Sequence, residues 1–154
     1  MEIAEAREQL RAVERASAAP YVQYPPSPWW YAPAVGAWVA GIVATFVWWR
    51  VNAALFLAAL GVLIALELVF VFWARRRHGA LPFPGRGRPP SEIAAVWRRY
   101  LIGALAIVSS VALTWWLTGP LVAAGVAFVL VTGGIAAYER RYARAATEVR
   151  SRLS

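Results

Sequence analysis

The chain has 154 residues, 60% of them hydrophobic, with 9 tryptophans and a formal net charge of +8, well above the roughly 45–50% apolar usage of soluble domains. All 16 basic residues are arginine, all 8 acidic ones are glutamate, and cysteine is absent, which excludes disulfides, thiol catalysis, cysteine metal ligands and palmitoylation. The charge is gathered in a few segments between long apolar stretches, a pattern that points to a membrane and away from nucleic acid.

Residues 1–19 are predicted to form an amphipathic helix, because Ile3, Ala6, Leu10, Val13 and Ser17 recur at steps of three and four, the spacing of one helical face. They lack the basic stub and apolar core of a signal peptide, so insertion is expected to rely on later segments. Residues 20–33 read as an elbow with an aromatic anchor. Pro20, Pro25, Pro26, Pro28 and Pro33 are expected to keep the first helix from running on into the membrane.

Four stretches, about 30–49, 53–74, 97–117 and 120–138, approach the roughly 20 apolar residues that cross about 30 Å of hydrocarbon. Only Arg50-Val51-Asn52 separates the first two and Thr118-Gly119-Pro120 the last two, which predicts two antiparallel hairpins. The expected fold is thus an all-α membrane protein: a transmembrane domain over 30–138, flanked by the N-terminal helix and a helical tail over 139–154. Trp30 to Trp48, Trp97 to Trp115 and Pro120 to Tyr138 are each eighteen positions apart, about 27 Å of helix, and Trp and Tyr concentrate where headgroups meet hydrocarbon. Trp38 falls mid-span and is expected to pack between helices or fill a groove.

Orientation follows from arginine. Arg75, Arg76, Arg77, Arg86, Arg88, Arg98 and Arg99 lie between spans two and three, eight more lie in the terminal segments, and Arg50 stands alone on the opposite side. The positive-inside rule then places both termini and the 75–96 connection in the cytoplasm of a bacterial inner membrane. Arg75, Arg76, Arg77, Arg98 and Arg99 are candidate contacts for anionic lipid or an acidic partner. Residues 79–91 read as non-helical, and their Gly-Arg-Gly has no phosphate-loop context. Ser91 suits a helix N-cap with Glu92 in the first turn.

The tail places Tyr138, Tyr142, Ala145, Val149 and Leu153 on one face. Its five arginines and two glutamates over 139–152 complement the four glutamates and three arginines of residues 2–18. The two ends are expected either to pack together, within or between subunits, or to lie on the membrane surface.

His78 has no acid, thiol or second histidine at ligand spacing, so no metal site, cofactor or catalytic constellation is expected, and the chain reads as non-enzymatic. Glu67 is the informative residue. It lies six residues inside Trp73, about 9 Å below the cytoplasmic interface, and its short side chain leans further inward. The same depth on the other spans falls at Gly36, Gly103 and Thr132, two sites of close approach and one hydroxyl able to bond a carboxyl. Ala54, Ala58, Gly61 and Ala65 form a small-residue stripe suited to tight packing, nearly opposite Glu67. Packing along that stripe would leave Glu67 to be covered by a third helix or by a second subunit. Glu67 then reads as a hydrogen-bonded interhelical group or as a proton-coupled or cation-binding carboxylate.

With four spans between the EAREQLRAVERA opening and the RRYARAATEVRSRLS ending, the chain resembles the uncharacterised small four-helix integral membrane proteins of actinobacteria in architecture and composition. It is also similar in outline to the small multidrug resistance transporters, compact four-span dimers working around a membrane glutamate. Their carboxylate lies in the first span, whereas Glu67 lies in the second here. No activity follows from the first resemblance; the placement of the spans and terminal helices leads us to expect an oligomeric scaffold, sensor or accessory subunit with membrane lipids and a cytoplasmic protein as partners. The second implies a proton-coupled exporter of small molecules.

Overall fold

The computed structural model describes residues 2–22, 27–78 and 90–153. Among these the ordered elements are all helices: α1 (Glu2–Val22), α2 (Tyr31–Thr45), α3 (Ala53–His78), α4 (Ser91–Thr118) and α5 (Pro120–Leu153). Three of them, α3, α4 and α5, contain stretches long and apolar enough to cross a membrane, which suggests a membrane protein. The proline-rich residues 23–26 of the expected elbow and the Gly-Arg-Gly segment within 79–89 lie outside the described residues.

Helix boundaries follow local chemistry. Asn52 Oδ1 accepts the Leu55 N–H at 3.0 Å, which caps the first turn of α3. Gly119, at φ 92°, takes the left-handed conformation that closes α4. Pro120 then opens α5 at a position whose missing N–H would have no partner in any case. Pro33 lies in the first turn of α2 for the same reason.

Two expected boundaries are corrected. The helix expected over 30–49 is the 15-residue α2. Beyond Thr45 the N–H groups of Phe46, Val47, Trp48 and Trp49 each donate three residues back, so the chain tightens out of the α geometry. Thr45 Oγ1 donates to the Ile42 carbonyl at 2.7 Å, a local bond that competes with the backbone ladder. At the other end, α1 runs through Pro20 to Val22. Proline costs a helix the bond its N–H would have made, and two bonds from α5 to the last carbonyls of α1, described below, favour the extra turn.

The chain divides into two compact units, with α4 and α5 contributing to both. One unit, Pro28–Leu81 with Ile102–Ala136, contains α2 and α3. Here α3 meets α2 through Leu63 and Phe70, and the turn after α2 through Phe56. Trp38 Nε1 donates to the Leu63 carbonyl at 3.1 Å, Tyr31 stacks on Phe70 at 6.2 Å, and Phe46 meets Phe56 at 5.1 Å. Phe46 also packs edge-on against Trp115 of α4 at 4.9 Å. The small-residue stripe is not the packing face: Ala54, Ala58, Gly61 and Ala65 are all exposed, and a Cβ added at Gly61 would meet nothing within 4 Å. The contacts of α3 among the described residues are made instead by aromatic and leucine side chains.

The second unit, Met1–Ser27, Pro82–Leu101 and Ala137–Ser154, gathers the last turn of α1, the first turns of α4 and the second half of α5. Tyr21, Ile93, Val96, Trp97 and Ala145 form one buried cluster, against which Tyr138 and Tyr142 pack. Ala18, Val22, Ala146 and Val149 form another. Ile93 and Val149 are both 0% exposed, so the tail face expected at Tyr142, Ala145 and Val149 is indeed its packing face. The face expected on α1 is not: Leu10 and Val13 are 69% and 66% exposed, and contact is made one turn later, by Ala18, Tyr21 and Val22.

Candidate functional site

Of the four residues expected to share a membrane depth, two touch. A Cβ built on Gly36 would collide with Thr132 Oγ1 and would stand 3.0 Å from the Phe128 carbonyl oxygen and 3.3 Å from Thr132 Cβ. Glycine is therefore required where α2 crosses α5. Thr132 Oγ1 is buried there without a hydrogen-bond partner, so the bond proposed between it and Glu67 is not made. Gly103 has open space around it. Glu67 is exposed on α3 and has no hydrogen bond or ion pair among the described residues.

The arginine candidates divide as follows. Arg76 stacks over the Phe72 ring at 4.4 Å, a cation–π contact at the end of the apolar stretch of α3. Arg98 and Arg99 are exposed on α4, open to anions. The backbone of Arg75 and Arg77 is helical, and their side chains lie outside the described residues. Tyr100, the next residue on α4, packs at a tilt against Tyr138, ring centres 4.9 Å apart.

The densest chemistry lies where α1 is held. Tyr142 donates its hydroxyl to the Tyr21 carbonyl at 2.8 Å, and Arg150 Nη2 donates to the Val22 carbonyl at 3.1 Å. Both satisfy carbonyls that a helix end leaves without an internal partner, and the arginine also complements the negative end of the helix dipole. Tyr21 meets Trp97 edge-on at 5.9 Å. Arg152 bonds Glu92 Oε1 at 2.8 Å and lies 3.6 Å from Glu14 Oε1, so one guanidinium joins α5, α4 and α1. Arg152, half-exposed, is screened by water, and such pairs contribute little stability singly. Two polar atoms of this unit, Trp97 Nε1 and Glu139 Oε1, are buried without partners.

Tyr142 was legible from the spacing of the tail. The roles of Arg150, Arg152 and Trp97 were not, because a helix cap supplied from a distant segment leaves no local pattern. Ser91, expected as an N-cap, is the first residue of α4, and its hydroxyl donates to Glu92 Oε2 at 3.0 Å.

The backbone N–H of Glu92 at the start of α4 holds its carboxyl below the ordinary glutamate range, helped by the Ser91 hydroxyl and the Arg152 charge and opposed by partial burial. A carboxyl so depressed contributes stability above the unfolded value of about 4.3, and that contribution is lost as pH falls through the lower folded value. Protection of the last turn of α1 from amide exchange is therefore expected to fall slightly as pH drops below about 4, with a shallower fall in Glu92→Gln. An identical acid response in the two proteins would remove Glu92 from the account.

Comparisons of the chain with protein families, curated proteins and solved structures find no match.

Proposed function

We propose that the chain is a non-enzymatic, oligomeric four-span protein of the bacterial cytoplasmic membrane, with both termini cytoplasmic, serving as a scaffold, sensor or accessory subunit. The observation that carries this reading is the way α1 is held. Its last turn is fixed by Tyr142, Arg150 and the buried clusters, while Leu10 and Val13 on its earlier turns stay exposed. An apolar helix face on a fixed base is a surface for a cytoplasmic protein partner, of the kind that helix-in-groove recognition uses.

The four-span topology draws on the arginine asymmetry and on the lengths of the helices. The 15 residues of α2 extend about 22 Å. The tight turns over 46–49 add about 8 Å at the longer rise of such turns, which together match the thickness of hydrocarbon. In this topology Trp48, Trp49 and Trp116, all exposed, form the aromatic belt of the outer face. The arginines Arg75, Arg76, Arg77, Arg98 and Arg99 meet anionic headgroups on the inner one.

The rival reading, a proton-coupled exporter, needs Glu67 to face a closed site lined by Gly36, Gly103 and Thr132. Reconstituting the full chain in liposomes and measuring pH-driven flux of small organic cations, for wild type and Glu67→Gln, separates the two readings. No flux is expected from either protein. Flux that vanishes with the substitution would overturn the scaffold reading. Deletion of residues 2–18 is expected to leave membrane insertion intact and to abolish co-purification of the cytoplasmic partner.

A further inference from the structure

Glu67 stands on a helix whose candidate span is almost entirely unburied within one chain. At 100° per residue it lies about 40° from Leu63 and about 60° from Phe70, which are two of the side chains that α3 sets against α2. It therefore borders the α2 contact, next to Ile64 and Val71, both exposed. Two polar side chains of α2 are engaged elsewhere: Trp38 is bonded to the Leu63 carbonyl and Thr45 to the Ile42 carbonyl.

A carboxyl on this side of a membrane-crossing helix cannot be left against lipid, which offers it neither donor nor acceptor. Apolar side chains around it can be covered by acyl chains; Glu67 needs a polar group at its own depth. Within the chain it has none among the described residues, and Arg50, the nearest arginine on the N-terminal side, stands at the opposite end of α3.

A second copy supplies that group by symmetry. A twofold axis along the membrane normal places identical residues at identical depth and makes the interface self-complementary. A carboxyl that carries its proton is at once donor and acceptor, so two of them can satisfy each other. We infer that two copies of this chain meet along the Ile64–Glu67–Val71 side of α3, with Glu67 of each hydrogen-bonded to Glu67 of the other. The inference rests on the oligomeric membrane reading above and assigns its interface.

The chain has no cysteine, so single-cysteine variants of the full protein in lipid vesicles report on one position each. Ile64→Cys is expected to form disulfide-linked dimers under mild oxidation, and Ala58→Cys, on the small-residue stripe, is not. In the Ile64→Cys background, Glu67→Leu is expected to weaken dimerisation about tenfold, the scale of an interhelical polar contact in lipid. Glu67→Gln, whose amide is also both donor and acceptor, is expected to keep most of it. Subunit counting by single-molecule photobleaching provides the second measurement. Oligomers that cross-link through Ala58→Cys and not Ile64→Cys would overturn this interface and leave the oligomeric reading standing. Dimers through Ile64→Cys that are indifferent to Glu67→Leu would overturn the carboxyl pair. A strictly monomeric chain would overturn both readings together.

Discussion

Gly36→Ala is expected to lower the unfolding free energy of the detergent-solubilised protein by about 1–3 kcal/mol, the usual cost of forcing atoms into a packed contact. The sign is informative because intrinsic helix preference works the other way, favouring alanine over glycine by about 1 kcal/mol. A net loss therefore measures the collision with Thr132 Oγ1, Thr132 Cβ and the Phe128 carbonyl. The threonine can turn its side chain, whereas the carbonyl belongs to the backbone of α5 and cannot yield without moving the helix. Thr132→Ala removes the oxygen that a Cβ at Gly36 would strike. It also removes a buried hydroxyl that has no partner, so by itself it is expected to be neutral or slightly stabilising. Combined with Gly36→Ala it is expected to recover about 1 kcal/mol, a coupling of the size found between residues in contact. Unfolding titrations of the four proteins in mixed micelles close this cycle. Additive effects, or a Gly36→Ala protein as stable as wild type, would place the α2–α5 crossing elsewhere.

Ile93→Ala is the second large effect. Ile93 is 0% exposed and packs with Tyr21, Val96, Trp97 and Ala145, so truncation removes buried apolar area and leaves a cavity, at a cost of about 2–5 kcal/mol. The loss is expected to be local. The attachment of α1 depends on the few side chains of its last turn and on the bonds from Tyr142 and Arg150, so a cost of this size exceeds what such a docked helix can absorb. Hydrogen exchange should show the amides of α1 and of the tail beyond Tyr138 losing protection, while those of α3 keep theirs. Uniform loss across α3 as well would mean that the two units unfold as one.

The apolar lengths were readable because hydrocarbon thickness limits a span to a narrow range of residues. The start of α3 at Ala53 and the Gly119-Pro120 turn fall where the sequence places them. Face assignment fared less well. Counting along the rise of a helix put Gly36 and Thr132 at one depth, and they touch; the same count included Gly103, which has open space, and Glu67, which bonds to neither. Depth depends on one variable, whereas contact also needs the order of helices around the unit, which no single segment encodes. The small-residue stripe on α3 misled for a related reason. Small residues permit close approach without compelling it, and Leu63 and Phe70 meet α2 instead, with Phe56 against the turn that follows it. Where α2 ends, its N–H groups turn to partners three residues back and the Thr45 hydroxyl bonds to the Ile42 carbonyl, a change that composition does not reveal.

The bonds that close the end of α1 also set an order of assembly. The Tyr21 carbonyl is satisfied from 121 residues away and the Val22 carbonyl from 128. Chains are made N-terminus first, at roughly 5–20 residues per second, so α1 emerges from the ribosome many seconds before the side chains that secure it exist. Of the five helices, α1 is thus made before the others and fastened after them. Until Tyr142 and Arg150 emerge, Ala18, Tyr21 and Val22 of its last turn, buried in the finished protein, are available to a chaperone, a lipid surface or the nascent chain beside it on the same message.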